Sequence, residues 1–371
     1  MIRRMIYTLL SLAVILLVWQ GYELWVATGR LPRGKRLERC KQSPQWKGDQ
    51  FVNTHHTPVL TSHDGFIRQM YRFLSDRITD LRPDHAVPTV KTSLNDIPRS
   101  REICVWLGHS TVYIQTQGIR FLFDPVLTDR LPVSLLMRPF QGSDVYTTDD
   151  IPDVDCLVIT HDHWDHLDWK TVTALKDRVG QVVCALGIGE HFEYWGYDPQ
   201  RIHDLDWGES FDIHPSTTHP GHMLRLHCLP SRHFSGRTGR HKTLWASYMI
   251  DGTRRIFISG DGGYDERFQR FGRQFPDIDL AILENGQYNS DWQYIHTLPD
   301  QLPTIIEELG ARRVITYHNS KYALARHPWT EPLDSIYQKS RRQGTAWQLL
   351  TPRIGEPVRL DDPRQSFDRW W

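Results

Sequence analysis

A chain of 371 residues can bury a sizeable core, and its 44 Lys+Arg against 44 Asp+Glu leave no formal net charge. No long run of one sign interrupts that balance, which argues against a phosphate-tracking surface and so against nucleic acid as a partner. Five cysteines is an odd count; Cys104, Cys156, Cys184 and Cys228 each sit in a short apolar run and read as reduced core residues, which favours a reducing compartment.

The first element is MIRRMIYTLLSLAVILLVWQGYELWVATGR. It opens on a basic pair, runs apolar from Met5 to Trp19 and ends on Trp19, Tyr22 and Trp25, side chains that favour a bilayer interface. The apolar core is short for a full span, and Gln20 and Glu23 interrupt its tail, so a cleaved signal peptide is the competing reading. No A-x-A site follows, which favours a retained anchor over residues 1–28. Arg3 and Arg4 precede the segment, whereas Arg30, Arg33, Lys35, Arg36 and Arg39 follow it. The heavier following cluster, with the unpaired cysteines, places the catalytic domain on the cytoplasmic face.

Residues 29–98 are polar and broken by proline and glycine, with one amphipathic helical stretch, GFIRQMYRFLSDRITDL (65–81); they read as an extension without a core of their own. From 99 to 360 the pattern changes to short β-branched and aromatic runs: ICVWL, TVYIQT, RFLFD, DCLVIT, QVVCAL, HMLRLHCL, WASYMI, RRIFISG, DLAIL and RRVITY. Helical stretches lie between them at 168–179 and 298–310. Strands in clusters with interspersed helices predict one layered α+β domain whose sheets carry helices on their outer faces. The sequence holds no visible internal repeat.

Chemistry concentrates behind DCLVIT, in THDHWDHLDWK. His161 and His163 are two apart, so in extended chain their rings point to one side and can share one ion. Asp165 and His166 follow a turn into the helix that DHLDWK begins, which aims them at a neighbouring point. Imidazole with carboxylate suits Zn²⁺ or a related transition ion better than Ca²⁺. His233 in LPSRHFSG, Asp261 in FISGDGGY and His318 in VITYHNS follow strands in the same way. Any one of these alone is more often an ordinary polar residue. Together they complete a two-ion set: His161, His163 and His233 for one ion, Asp165, His166 and His318 for the other, Asp261 between them. Two such ions lower the pKa of a shared water and stabilise developing negative charge.

That ordered set resembles the H-x-H-x-D-H signature and later metal motifs of the metallo-β-lactamase superfamily. WLGHST (106–111), FDP (123–125), HDHWDHLD, LPSRHF, GDGGY, QYIHTLPDQ and HNSKYALA are similar to motifs of the N-acyl-phosphatidylethanolamine-hydrolysing phospholipase D family over about residues 100–330. The resemblance implies an αββα sandwich with two zinc ions at the sheet edge, and hydrolysis of a phosphodiester to phosphatidic acid and an N-acylethanolamine. It also implies that Asp124 orients a ligating histidine, that His109 lies close to the site, and that His296 lies near the substrate phosphate, so that Asp165, Asp261, His296 and His109 form the catalytic group. LENGQYN (283–289) departs from the more apolar stretch of the animal enzymes, and the anchor belongs to this chain.

The expected partners are a phospholipid substrate and a membrane, with a homodimer left open. RLPVSLLMRPFQG (130–142) is unusually apolar for a loop and is expected to cover the groove or enter lipid, unless it packs on its own domain. The competing functions are a lactone, ester or cyclic-nucleotide hydrolase of the same fold, and a membrane-tethered binding module with a decayed site. No G-x-S-x-G elbow, P-loop or dinucleotide fingerprint offers another active site.

Overall fold

The computed structural model describes residues 2–371 apart from 62–67, 69–70, 72–74, 76–77, 129–137, 216–222, 238 and 343. Most of the 65–81 stretch and residues 130–137 therefore lie outside the described residues. The chain opens with α1 (Ile2–Ala27) and α2 (Gly34–Gln42), then the short hairpin β1 (Trp46–Lys47) and β2 (Gln50–Phe51). A first sheet is built from β3 (Ile103–Trp106), β4 (Val112–Thr116), β5 (Ile119–Phe123), β6 (Val154–Ile159), β7 (Val179–Ala185) and β8 (Ile202–Leu205). A second follows with β9 (Ser210–Ile213), β10 (Leu224–Pro230), β11 (Ala246–Asp251), β12 (Arg255–Ile258), β13 (Leu280–Glu284), β14 (Arg313–Tyr317) and β15 (Gln348–Leu350). The last strand, β16 (Pro357–Arg359), returns to pair with β3, so both sheets have seven strands.

The two sheets repeat one topology. Each begins with three antiparallel pairings and ends with three parallel ones, in the orders β16-β3-β4-β5-β6-β7-β8 and β9-β10-β11-β12-β13-β14-β15. Parallel neighbours need crossovers, and among the described residues α-helices fill five of the six: α3 (Trp169–Leu175) and α4 (Gly189–Tyr194) in the first half, α5 (Arg267–Gln274), α6 (Leu302–Leu309) and α7 (Glu331–Ser340) in the second. The period-2 alternation of a strand divides the core. Ile256 and Ile258 of β12 and Leu280 and Ile282 of β13 join the packed space between the sheets, whereas Phe257, Ala281 and Leu283 meet Phe268, Phe271, Leu302, Ile305 and Ile306 of the outer helices. The result is the two-sheet, helix-flanked sandwich expected from the strand pattern.

The segment after α1 lies on this sandwich. Cys40, Phe51, Val87 and Leu94 belong to the same apolar core as both sheets. At the other end, Trp370 Nε1 donates to the Thr351 carbonyl (3.1 Å), Trp371 Nε1 donates to Asp334 (2.9 Å), and both rings pack on that core. All five cysteines are free and buried, and burial pushes the Cys104 thiol up to about 12. Phe140, at the end of the apolar 130–142 stretch, is buried, with its amide bonded to the Lys321 carbonyl (2.7 Å). That residue packs on its own domain instead of reaching for lipid. Within α1, Arg3–Ala27 is long and apolar enough to cross a membrane or to serve as a signal sequence, and its apolar side chains from Met5 to Val18 are exposed.

Four of the five basic residues that follow α1 are spent on ion pairs. The Glu190 carboxylate, 3% exposed, receives Arg30 (2.6 Å), Arg33 (3.2 Å) and Arg36 (2.9 Å). Arg36 also reaches Asp204 (2.9 Å), and Arg39 pairs with Glu209 (2.6 Å). Glu190→Ala removes the shared partner from several guanidinium groups, Arg36 among them nearly buried. We expect it to destabilise the domain by about 3 kcal/mol in urea unfolding and to speed proteolysis within residues 30–45.

Candidate metal centre

Strand direction gathers the site. β3, β5 and β6 run the same way in the first sheet and β10, β12, β13 and β14 in the second, so their C-terminal ends deliver His109, Asp124, the 161–166 turn, His233, Asp261, Glu284 and His318 to a common edge. Three of these residues sit in the left-handed backbone region: His109 (φ 49°), Asp124 (φ 42°) and His318 (φ 67°). For residues with a Cβ that conformation costs about 1–3 kcal/mol each and turns the side chain inward directly after the strand. The GDGG stretch is likewise a close approach: a Cβ on Gly263 would stand 2.3 Å from the Tyr294 carbonyl oxygen.

The 161–166 segment is a turn, and the helix after it starts later than the carboxylates of DHLDWK suggest. His166 N–H and Leu167 N–H both return to the His163 carbonyl (3.1 and 2.9 Å). Asp168 then caps α3 by accepting from the Thr171 amide (3.0 Å), so the helix opens at Trp169 and leaves Asp165 and His166 in the turn.

Hydrogen bonds fix which ring nitrogens face inward. Asp124 accepts from the Thr160 amide (2.8 Å), the Thr160 hydroxyl (2.6 Å) and His166 Nδ1 (2.8 Å). Because the Thr160 hydroxyl proton goes to Asp124, its oxygen accepts from His161 Nδ1 (3.0 Å). His233 Nδ1 donates to the Ile295 carbonyl (2.7 Å). The Nε2 atoms of His161, His166 and His233 are thereby turned towards the centre.

There, among the described residues, the donors gather in four overlapping groups, two of which contain the predicted triads. His161 Nε2 and His233 Nε2 lie 2.9 and 3.2 Å from His163 Nδ1. His318 Nε2 lies 3.3 Å from Asp165 Oδ2, and Asp165, His166 and His318 form a second cluster that also contains His109. Asp261 Oδ2 stands between the groups, 3.3 Å from His166 and His318 and 3.9 Å from His161 and His233.

These residues fit a cation. His166 Nε2 and Asp261 Oδ1 are buried without a hydrogen-bond partner, a cost that a metal ion would remove. Burial, reinforced by neighbouring histidines, holds His161 and His233 well below the ordinary imidazole range, the neutral form a metal takes. Burial also opposes charge on His166, but Asp261 and Asp165 outweigh it and hold that ring well above its usual pKa. Burial likewise opposes ionisation of Asp165 and Asp261, yet His166 and its neighbours keep both carboxylates well below their usual range. The pocket thus demands positive charge in its middle.

The remaining site residues take separate places. His109 is fully buried; its Nε2 lies 2.9 Å from Asp165 Oδ2 and its ring 4.2 Å from that of His318, so it touches candidate ligands and positions them. His296, its ring 5.2 Å from His233 and 5.8 Å from His318, clusters with Asp261, Glu284 and His318. Its Nδ1 makes a short hydrogen bond to Glu284, a residue the sequence motifs had not singled out. Glu284 is buried, accepts from the Gly262 amide (2.8 Å), and lies 3.8 Å from His318 Nδ1. The available signal was a lone carboxylate ending the otherwise apolar strand LAILE, inside the stretch already seen to depart from the animal pattern. Replacing Asp124 by Asn, which frees the His166 ring while keeping shape, is expected to weaken metal binding about 10–100-fold in a chelator competition, with an unchanged far-UV spectrum.

A family model described as "Beta-lactamase superfamily domain" matches residues 119–319. An uncharacterized protein of Mycobacterium tuberculosis is 31% identical over 338 residues, covering 89% of this chain and 88% of that one. The N-acyl-phosphatidylethanolamine-hydrolyzing phospholipase D 1 of Caenorhabditis elegans is 29% identical over 321 residues, 82% of this chain and 86% of its own. Among solved structures, Igni18, a metallo hydrolase from Ignicoccus hospitalis, superposes with a TM-score of 0.52 at 18% identity, over 70% of this chain and 98% of its own. Because the matched family span contains the turn after β6 and all three later strand ends, the chain belongs to the metallo-β-lactamase superfamily and carries its hydrolase fold.

Proposed function

We propose that this protein is a membrane-anchored, zinc-dependent phosphodiester hydrolase that cleaves N-acyl-phosphatidylethanolamine to phosphatidic acid and an N-acylethanolamine. The observation that carries this reading is similarity, over more than four-fifths of both chains, to the nematode phospholipase D, in a chain whose donors still converge. Three imidazoles facing one point and two imidazoles with a carboxylate facing another, joined by Asp261, are a nitrogen-rich donor set that suits zinc. His161, His163 and His233 would hold one ion; Asp165, His166 and His318 would hold the other. When bound, the two ions supply Lewis acidity towards phosphate oxygens and an acidified water near neutral pH.

The chain's own residues supply position. Asp124 and His109 lock His166 and Asp165 in place. Burial alone would depress His296, but the Glu284 carboxylate overrides it and the imidazole pKa is raised. With Nδ1 committed to Glu284, His296 presents Nε2 as a charged donor to a phosphate oxygen. α1 is read as the retained anchor and lipid as the partner it meets. A cytoplasmic domain is supported by five unpaired cysteines, and less by the basic cluster, since Arg30, Arg33, Arg36 and Arg39 are already paired.

Purified full-length protein is expected to carry about two zinc ions per chain and to release phosphatidic acid from liposomes containing N-acyl-phosphatidylethanolamine. Iron as the retained, activating metal would overturn the zinc assignment, and cleavage of a lactone or soluble ester alone would overturn the lipid one. Asp261→Ala should lower both metal content and turnover, the latter by about a thousandfold or more. His296→Ala should keep the metal yet lose about a hundredfold in kcat.

A further inference from the structure

The last turn of α1 does not hang free. Carbonyls at a helix C-terminus lack intrahelical partners, and two of them are capped by the hydrolase domain. Trp195 Nε1 donates to the Val26 carbonyl (2.9 Å) and Arg237 Nη1 to the Ala27 carbonyl (3.0 Å), the latter also placing a cation at the negative end of the helix dipole. Trp25 packs edge-on against Tyr194, with ring centroids 6.2 Å apart, and Glu23 pairs with Lys170 (3.0 Å).

Both sides of this junction reach the ligand-bearing turn. The Arg237 guanidinium lies 4.0 Å over the ring of Trp164, the residue between His163 and Asp165, and also donates to the Leu167 carbonyl. On the other side, Gly29 (φ +69°) presses on His191, where a Cβ would stand 2.1 Å from Nδ1. That close approach lets the Arg30 amide donate to His191 Nδ1 (3.0 Å). His191 Nε2 in turn lies 3.5 Å from Asp162, the residue between His161 and His163. A flexible tether would need none of these contacts.

We propose that this junction is a rigid collar that holds the mouth of the metal centre at the depth of the phospholipid headgroups, so that the surface around Trp25, Trp164 and Tyr194 is a bilayer-contact surface. The inference rests on the reading of α1 as a membrane anchor. An anchoring helix that ends on Tyr22 and Trp25 puts its last turn at the membrane interface. Residues touching that turn then share its depth to within a side chain's length, and Trp164 is separated from it by Arg237 alone. The partner is the glycerophospholipid headgroup layer of the anchor's own membrane, whose phosphodiesters lie at that level. Substrate phosphate then meets the site without the lipid leaving the bilayer. The exposed Glu23–Lys170 pair contributes little; the capped carbonyls and the stacked aromatic groups supply the rigidity.

The test uses full-length protein in phosphatidylcholine vesicles that carry a headgroup nitroxide lipid. Since the native cysteines are all buried, bimane can be attached at Ala174→Cys, one turn beyond Lys170 in α3, or at Thr253→Cys, in the exposed turn between β11 and β12 at the opposite edge of the sheets. Quenching at 174 is expected to exceed that at 253 by threefold or more. Gly29→Val, which cannot fit against His191, should bring that ratio close to one and lower hydrolysis of vesicle lipid more than that of a soluble phosphodiester. Equal quenching at 174 and 253 in unaltered protein that resists alkaline carbonate extraction overturns the collar alone. Release of the protein by carbonate overturns the anchor reading and the collar with it.

Discussion

Buried carboxylates and inward-facing ring nitrogens, gathered at one edge of an apolar sandwich, are the constraint on which the molecule turns. Four of the seven candidate donors are backed by a partner that fixes their orientation: Asp124 behind His166, Thr160 behind His161, the Ile295 carbonyl behind His233, His109 behind Asp165. Such an arrangement is costly without a cation, because buried ionised groups need close partners. The cost is raised further by left-handed backbone at His109, Asp124 and His318. What offsets it is the extent of apolar packing between the sheets and beneath the helices of the second half.

The strands that carry the site were legible because they are the buried ones. All ten apolar runs became strands, among them ICVW, VDCLVI and LAILE, whose side chains are almost all buried. The strands that escaped notice are mostly short and at or near the sheet edges: IHDL, SFDI, QLL and PVR, each partly exposed and without a clean alternation. Nor did the sequence betray the repeated topology of the two halves, since hydrogen-bonding order can be conserved while side chains diverge. The helix after His166 opens at Trp169 with Asp168 as its cap, in keeping with the 168–179 stretch, although the carboxylates of DHLDWK look like a first turn.

The candidate metal-site residues were legible as a set: a lone histidine or aspartate at a strand end is ordinary, but several after successive apolar runs converge on one edge. Glu284 escaped because it ends its strand in the company of ordinary core residues, and only the fold brings it beside His296. The basic cluster after α1 has a use in the fold that its sequence hides. As a string it looks like free charge marking a membrane side, but Glu190, Glu193, Asp204 and Glu209 are hidden far along the chain and neutralise much of it.

The division of donors between the two halves carries a consequence of its own. The turn after β6 belongs to the first sheet, and His233, Asp261 and His318 belong to the second, so each of the two predicted ions would draw its ligands from both sheets. An ion bound there is a rivet through the seam of the sandwich. Its binding free energy would then add to the cohesion of the two layers by mass action, so that the stability of the sandwich would rise with metal supply.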